Sequence, residues 1–117
     1  ALACDIPRVV IVNTINDHEY VQGVPKDFEV EIPAYVSKRG VQGIQTKPLP
    51  KPILNHMLRD RIAPVEMELA SYEQKSRELL IQLIMMDPFT KSREQAEGFL
   101  EELFEVEYLG EMREYYK

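Results

Sequence analysis

The sequence predicts an α+β domain, in which a small, mostly antiparallel sheet is packed with three or four helices. Apolar residues recur with a period of two in the first part of the chain, which is typical of strands. From Ile53 onward the period changes to about 3.6, which is typical of helices. Three prolines separate the two regions, Pro48, Pro50 and Pro52, and each disfavours helical angles in the residue before it.

The opening strand is the most apolar segment of the chain. Residues 9–12 are Val-Val-Ile-Val, and four consecutive β-branched residues indicate a strand that is covered on both faces. Turn-forming residues at 13–18 predict that the chain then leaves the sheet. Because this strand needs a packing layer that no upstream residue of the sequence supplies, we expect the chain to be the C-terminal piece of a larger protein.

A second strand and a hairpin follow this loop. Residues 28–32 alternate strictly between apolar and polar, and the apolar phase continues beyond Pro33. Since proline has no N–H for the ladder, Pro33 predicts an edge position or a bulge. Residues 38–40, Lys-Arg-Gly, predict a tight turn, and residues 41–46 predict a short return strand.

The helical half has recognisable starts and stops. Residues 53–86 predict one short helix and then longer helical segments, which end at the Asp-Pro pair of residues 87–88. Ser92 and Gln95 form a capping-box pattern at the start of a final main helix. The tail, residues 111–117, predicts a frayed helix or an exposed end. The buried stripe of the final helix comprises Ala96, Phe99, Leu100, Leu103 and Phe104.

Composition excludes several classes of protein. The 117 residues carry 14 basic and 20 acidic side chains, and a net charge of −6 disfavours nucleic acid as a partner. No apolar run is long enough for a membrane helix, and a single cysteine is typical of a reducing compartment, so we expect a cytoplasmic protein without membrane partners. The five glycines cannot form a G-x-G-x-x-G turn, so this segment is not expected to bind NAD by itself.

Several motifs, in their order along the chain, resemble the C-terminal domain of glycoside hydrolase family 4. The resemblance extends over nearly the whole chain and is strongest to the α-glucosidase and α-galactosidase branch. The motifs are Ala-Leu-Ala-Cys-Asp-Ile-Pro-Arg at 1–8, an apolar strand ending in Asn13, Gly-Val-Pro at 23–25, Glu-Val-Glu-Ile-Pro at 29–33, Leu-Pro-Lys-Pro at 49–52 and Met-Asp-Pro at 86–88.

This resemblance implies an unusual glycosidase with a fold like that of lactate and malate dehydrogenases. Such enzymes bind NAD and a divalent metal, commonly Mn²⁺, instead of using two carboxylates alone. They oxidise the sugar at C3, remove the acidified proton at C2, eliminate the leaving group, add water and return the hydride. Residues 1–117 then form a single C-terminal domain without the N-terminal NAD-binding domain, and this isolated segment is expected to be inactive.

The resemblance assigns roles to Asp5 and Arg8. Asp5 is the expected general base for the C2 proton or a residue that directly supports that base, and Arg8 is expected to bind a sugar oxygen or a charged substituent. The residues alone also allow a structural interpretation, in which Asp5 caps a turn and Arg8 pairs with it. No residue is assigned to a metal or a cofactor. Cys4 is expected to be buried, and residues 17–19, Asp-His-Glu, are expected at a loop tip.

Two other interpretations remain open at this point. One is the C-terminal domain of a malate or lactate dehydrogenase, which has the same architecture. The other is a non-catalytic interaction module that uses the amphipathic segments of residues 53–104. For the glycosidase, the expected partners are a sugar substrate, its own N-terminal domain and further copies of the chain. Self-association, or the exposure of apolar patches, is expected because the helices carry more apolar residues than a 117-residue monomer without its N-terminal partner layer covers easily.

Overall fold

The computed structural model describes residues 1–116 and contains two compact units. The first unit comprises residues 1–58 and holds the β-sheet, and the second begins at residue 59 and is helical. The predicted α+β class is therefore confirmed. Within the described part of the chain, no helix combines the length and the apolar character needed to cross a membrane.

Three antiparallel strands form the sheet, and the middle strand in sequence is also the middle strand in space. These strands are β1, Arg8–Ile15, β2, Glu29–Ser37, and β3, Gly40–Gly43. The prediction that the chain leaves the sheet after residue 12 is wrong. The last three residues of β1 pair with the first three of β2, so the turn formers Asn13 and Thr14 still belong to the ladder.

Pro33 lies in the central strand, so its predicted position at an edge or bulge is wrong. Its carbonyl oxygen accepts a hydrogen bond from the N–H of Ile44 at 2.9 Å, one residue beyond the end of β3. Because the N–H and C=O of a strand residue point to the same side, the donor that proline lacks would also face Ile44 and not β1. Pro33 therefore occupies a place where the β2–β3 ladder is already ending.

The predicted hairpin between β2 and β3 is confirmed, but its return strand is short. Residues 38–39 form the turn, and Gly40 follows with φ +110°, a conformation that favours glycine. The strand ends at Gly43, three residues before the predicted end. A Cβ atom at Gly43 would collide with the ring of Tyr20 and the side chain of Ile32, so this close approach requires glycine.

The two faces of the sheet differ in burial. The side chains of Ile32, Ala34 and Val36 on one face of β2 are buried. On the other face, Val9 and Ile11 of β1 are 61% and 65% exposed. The prediction that the opening strand is covered on both faces is therefore wrong for the chain as it stands. The apolar character of this strand exceeds what its burial here requires.

A buried asparagine organises the loop that joins β1 to β2. Asn16 is fully buried, and its Nδ2 donates hydrogen bonds to the carbonyl oxygens of Val21 at 3.0 Å and Val24 at 2.9 Å. Its Oδ1 accepts one from the N–H of Val21 at 2.9 Å. The backbone N–H of Asn16 donates a hydrogen bond to the carbonyl oxygen of Phe28 at 2.9 Å, and the backbone carbonyl of Asn16 accepts one from the N–H of Glu19 at 2.8 Å. One side chain thus closes a loop whose own backbone lacks sheet partners.

The change to helical structure beyond the three prolines is confirmed. Pro52 lies in the first turn of the first helix, where the fixed φ angle of proline is already helical and its missing N–H is not needed for a hydrogen bond within the helix. The helical elements are α1, Lys51–Met57, a π-helical turn, Leu58–Ile62, α2, Ala63–Glu73, α3, Arg77–Met85, α4, Arg93–Phe104, a 3₁₀ turn, Glu107–Leu109, and α5, Gly110–Tyr115.

Serine caps begin both α3 and α4. Ser76 Oγ accepts a hydrogen bond from the N–H of Leu79 at 3.2 Å, and Ser92 Oγ accepts one from the N–H of Gln95 at 3.1 Å. The predicted cap at Ser92 is therefore confirmed. The reciprocal bond differs from a standard capping box, because Gln95 Oε1 accepts from the N–H of Lys91, one residue before the cap, at 2.8 Å.

The core of the helical unit lies along one stripe of α4. Ala96, Leu100 and Phe104 are buried there, at successive intervals of four residues. Phe99, which was predicted to belong to this stripe, is 53% exposed. The prediction fails because Phe99 lies about 100° around the helix from Leu100, outside the narrow buried face. The complete cluster comprises Leu80, Ile81, Ala96, Leu100, Phe104 and Tyr116.

The C-terminal tail is part of this core. Tyr116 is only 7% exposed, and its hydroxyl lies 3.5 Å from Ser71 Oγ, a buried group of α2. Tyr115 stacks on Tyr72 and donates a hydrogen bond to the Tyr72 carbonyl at 2.8 Å. The predicted frayed or exposed end is therefore wrong as far as residue 116, and Lys117 lies outside the described residues.

We predict that Asn16→Ala lowers the free energy of unfolding by about 2 kcal/mol, because it leaves the buried carbonyl group of Val24 and the part-buried N–H and carbonyl groups of Val21 without their partner. Urea denaturation monitored by circular dichroism measures the change. Asn13→Ala, at an exposed position of β1, is the control and should change the free energy by less than about 0.5 kcal/mol. Equal effects of the two substitutions would show that the buried carboxamide does not hold the loop.

Candidate functional site

Asp5 and Arg8 lie where the N-terminal segment enters β1. Residues 2–5 form a turn, and Asp5 has φ +50°, in the left-handed region. Aspartate tolerates this region better than most residues, because its short side chain can bond locally. Arg8 is the first residue of β1 and pairs in register with Val36 of β2. The start of β1 therefore brings both candidate residues to the hairpin end of the sheet.

The partner of Asp5 is Lys38, in the turn between β2 and β3. Asp5 Oδ1 accepts a hydrogen bond from the backbone N–H of Lys38 at 3.2 Å, and Asp5 Oδ2 lies 3.1 Å from Lys38 Nζ. The Asp5 side chain is still 44% exposed, so other groups can approach its carboxylate. Asp5 is thus fixed by two contacts to one residue and remains accessible to solvent.

Arg8 does not pair with Asp5. Within residues 1–116, the Arg8 side chain makes no hydrogen bond and no ion pair, and the residue is exposed. The structural interpretation of this pair therefore agrees with the structure in one respect only. Asp5 does bond to a turn, but its partner there is Lys38 and it makes no contact of this kind with Arg8. A guanidinium without a partner offers a planar set of donors to oxygen atoms of a ligand.

Sequence reasoning did not identify Lys38 as a neighbour of Asp5. The two residues are 33 positions apart, and only the pairing of β1 with β2 brings them together. A basic residue in a hairpin turn is itself too common to indicate such a contact. This end of the sheet therefore carries the Asp5 carboxylate, which can accept a proton, and the exposed Arg8 guanidinium, which can bind an anionic oxygen.

Cys4 is exposed, so the prediction that it is buried is wrong. The residue lies in the N-terminal turn and not in the sheet, because β1 begins only at Arg8. Burial in a strand would have required the strand to begin four residues earlier. Exposure alone assigns no role to this thiol.

The Asp-His-Glu run at residues 17–19 divides its side chains between different partners. His18 Nδ1 lies 2.7 Å from Asp17 Oδ1, and this hydrogen bond lowers the pKa of Asp17 below its usual range. The third residue of the run, Glu19, pairs with Lys26 instead, with 3.7 Å between Glu19 Oε2 and Lys26 Nζ. In the described part of the chain, no group of three or more His, Cys, Asp and Glu side chains could hold a metal ion. These residues therefore do not fit the divalent metal that the family resemblance implies.

A groove of about 390 Å³ lies between α3 and α4. Arg93 binds both carboxylate oxygens of Glu78, at 2.8 and 2.6 Å, and also Glu97, at 2.7 Å. Arg77 pairs with Glu101 on the same wall. The hydrogen bonds from Arg93 lower the pKa of Glu78 to about 2. Since the charges of the groove bind one another, it is an ion-pair network between two helices and offers no unpaired group to a ligand.

Comparison with known proteins gives a family and a fold. A profile of the family 4 glycosyl hydrolase C-terminal domain matches residues 1–90. The 6-phospho-beta glucosidase from Thermotoga maritima, solved with manganese, NAD⁺ and glucose-6-phosphate, is 24% identical with a TM-score of 0.67, over 89% of this chain and 25% of its own. The 6-phospho-alpha-glucosidase from gut microorganisms, in complex with NAD and glucose-6-phosphate, is 22% identical with a TM-score of 0.69, over 89% of this chain and 24% of its own. The chain thus spans about a quarter of these proteins.

We predict that the Glu78 carboxyl titrates near pH 2 and that Arg93→Gln returns its pKa toward the ordinary value of 4.5. Because the pKa is lower in the folded state, the stabilisation is complete above pH 4.5 and is lost as the pH falls toward 2. Carboxyl-detected NMR measures both titrations. Arg113→Gln, which removes a cation beside Glu105, is the control and should leave Glu78 unchanged. An unchanged Glu78 titration in Arg93→Gln would contradict the assigned cause.

Proposed function

Because this chain belongs to the family of C-terminal domains of family 4 glycosyl hydrolases, we propose that it forms part of a glycosidase that cleaves α-glycosidic bonds by NAD-dependent oxidation, elimination and addition. The profile match over residues 1–90 carries this proposal. The fold shared with two phospho-glucosidases supports it. The same match favours the glycosidase over the dehydrogenase and the interaction module that the sequence pattern had left open.

The substrate of the proposed enzyme is a sugar glycoside. The structurally similar enzymes are named as 6-phospho-glucosidases, and two of their structures contain glucose-6-phosphate. These names include both alpha and beta enzymes, so they do not select an anomer. Glucosides that carry a 6-phosphate are therefore the first substrates to test, in both anomers. The exposed Arg8 at the hairpin end of the sheet is consistent with a ligand that carries anionic oxygens.

Asp5 is the proposed base that removes the proton at C2 of the sugar. Its carboxylate is accessible, and the two contacts to Lys38 fix its position without enclosing it. Arg8, three residues later, binds a sugar oxygen or a charged substituent. Lys38 then acts as a positioning residue, because its contacts are with Asp5. A purely structural role for Asp5 is the competing proposal, and the hydrogen bond from the Lys38 backbone supports it.

NAD and Mn²⁺ belong to other parts of the proposed enzyme. The described residues offer no metal site, and the sequence contains no glycine-rich dinucleotide turn. When bound, NAD would accept and return a hydride, and this chemistry makes the C2 proton acidic. The proposed partners are therefore an N-terminal NAD-binding domain of the same enzyme and further copies of the chain. We also propose a cytoplasmic location, because a single cysteine is typical of a reducing compartment.

We predict that Asp5→Asn, in an enzyme that contains this chain and its NAD-binding domain, lowers kcat by roughly 10²–10⁴, the range typical of a lost general base. Asparagine keeps an oxygen for the Lys38 N–H, so the turn should remain. Steady-state kinetics with 6-phosphoglucosides measures the effect, and in D₂O the product of the unaltered enzyme should contain deuterium at C2.

Lys38→Met is the matched control for Asp5→Asn. It removes the ammonium contact but keeps the backbone N–H, so it should reduce kcat much less than Asp5→Asn does. If Asp5→Asn turns over normally, or if Lys38→Met and Asp5→Asn have equal effects, Asp5 is a structural residue of the turn.

For Arg8→Lys we predict an increase in KM with little change in kcat. Lysine keeps the charge but loses the planar fork, and a contact made equally in the ground and transition states affects binding alone. The same kinetic assay measures this, with Arg39→Lys in the neighbouring turn as the control. A large fall in kcat at unchanged KM would instead assign Arg8 to the transition state.

A further inference from the structure

We propose that residues 107–116 form a strap that opens and closes over the turn between α2 and α3 as one unit, with Tyr115 and Tyr116 as its attachment points. We call this segment the C-terminal strap. It consists of the 3₁₀ turn, the helix α5 and Tyr116. The inference concerns the helical unit alone and does not rest on the glycosidase chemistry. The strap also lies beyond residues 1–90, the part of the chain that matches the family profile.

One face of α5 attaches the strap to the core of the helical unit. Met112, Tyr115 and Tyr116 follow the helical spacing of three and four residues. Tyr116 belongs to the buried core cluster, and the other two side chains pack against that cluster. The Tyr116 hydroxyl also lies 3.5 Å from Ser71 Oγ of α2. Opening of the strap would therefore uncover part of the core.

Tyr115 makes three contacts with the end of α2 and the turn that follows it. Its ring stacks on the ring of Tyr72, with 5.0 Å between the centroids. Its hydroxyl donates a hydrogen bond to the Tyr72 carbonyl, 43 positions earlier in the chain, at 2.8 Å. Lys75 Nζ lies 4.9 Å from the centroid of the Tyr115 ring, within the range of a cation–π contact. One side chain of the strap is thus bound by the rings, the backbone and a cation of the same turn.

Lys75 occupies a backbone position at which glycine is the usual residue. Its φ is +51°, in the left-handed region. Its N–H donates to the Tyr72 carbonyl at 3.1 Å, and the N–H of Ser76 donates to the Ser71 carbonyl at 2.9 Å. These two bonds form the Schellman pattern that ends a helix, in which the left-handed residue is most often glycine. Lysine is less favourable than glycine in this conformation, but it places an ammonium group over Tyr115.

The helix of the strap is weak by itself. α5 has six residues, and among the described residues no side chain caps its start, so it depends on its tertiary contacts. Gly110, its first residue, has φ −57°, a helical value that any residue adopts. A Cβ atom at Gly110 would meet no described atom within 4 Å. Neither space nor φ requires glycine there, and glycine lowers the stability of the closed strap.

The junction with α4 allows the strap to move without it. Val106, between α4 and the strap, is extended with ψ 123°, so the helical hydrogen bonds of α4 do not continue into the strap. The ion pair of Arg113 with Glu105 at 3.5 Å is exposed and adds little to the attachment. Segments with a weak helix and few attachment points open separately from the rest of a domain. The strap is such a segment.

Hydrogen exchange of the intact protein, followed by mass spectrometry, tests the proposal. Peptides from the strap and from α4 report on the two segments separately. We expect the strap amides to exchange together and at least about tenfold faster than the central amides of α4.

A pair of glycine substitutions tests the weakness of the strap without removing a contact. Gly110→Ala should slow the exchange of the strap about two- to fivefold, because alanine loses less chain entropy when the helix forms. Gly98→Ala is the matched control, since Gly98 lies within α4 and a Cβ there would also meet no described atom within 4 Å. This control should leave the exchange of the strap unchanged.

Substitutions at Lys75 test the attachment of Tyr115. Lys75→Met removes the ammonium group but keeps a long side chain, so the strap should exchange about two- to fivefold faster. Lys75→Arg keeps a cation beside the ring and should leave the exchange of the strap within about twofold of the unaltered protein. Both substitutions keep a side chain with a Cβ at the left-handed position, so the backbone strain is the same in both.

Three results would overturn the proposal. One is an unaltered protein in which the strap and α4 exchange at the same rate, because the strap would then open only when the whole unit unfolds. Another is a Gly110→Ala protein whose strap exchanges as before, or a Gly98→Ala protein that slows the strap equally. The last is equal exchange of the strap in Lys75→Met and Lys75→Arg. Since no activity is measured, a failure of the proposed glycosidase function would leave these results unaffected.

Discussion

The pairing of β1 with β2 depends on how the loop between them is closed, and Asn16 closes it. A loop of this length supplies few hydrogen bonds of its own, and its backbone groups must be satisfied where they are buried. The side chain of Asn16 bonds to both the carbonyl oxygen and the N–H of Val21 and to the carbonyl oxygen of Val24. Its backbone N–H bonds to Phe28, the residue before β2. The strands can therefore begin their ladder at once, with Ile15 opposite Glu29.

The same register determines the candidate site. Counting from Ile15 and Glu29 toward the other end, the ladder places Arg8 opposite Val36, and the hairpin turn then lies beside the N-terminal segment. This is why Asp5 meets Lys38. The position of a proposed catalytic carboxylate thus depends on a loop at the opposite end of the sheet. The carboxylate is also a turn ligand, so its structural and chemical roles share the same atoms.

The strand register leaves the apolar side chains on one face of the sheet uncovered. Alternation along β2 buries Ile32 and Ala34 on one face, while the apolar residues of β1 on the other face remain exposed. An eight-residue strand of this composition is costly to leave in water, because apolar area is the main source of favourable free energy in association.

The sequence by itself determined the features that depend on local patterns. The change of period at the prolines gave the α+β class, Ser92 gave the start of α4, and the order of short motifs gave the family. Only the tertiary structure decided which apolar residues are covered and which distant residues meet. Pro33 is tolerated in a central strand because β3 ends beside it, Phe99 lies outside the buried stripe, and Asp5 reaches Lys38 across 33 positions. A local pattern specifies backbone conformation, whereas burial and long-range pairing depend on the register of strands that no short segment specifies.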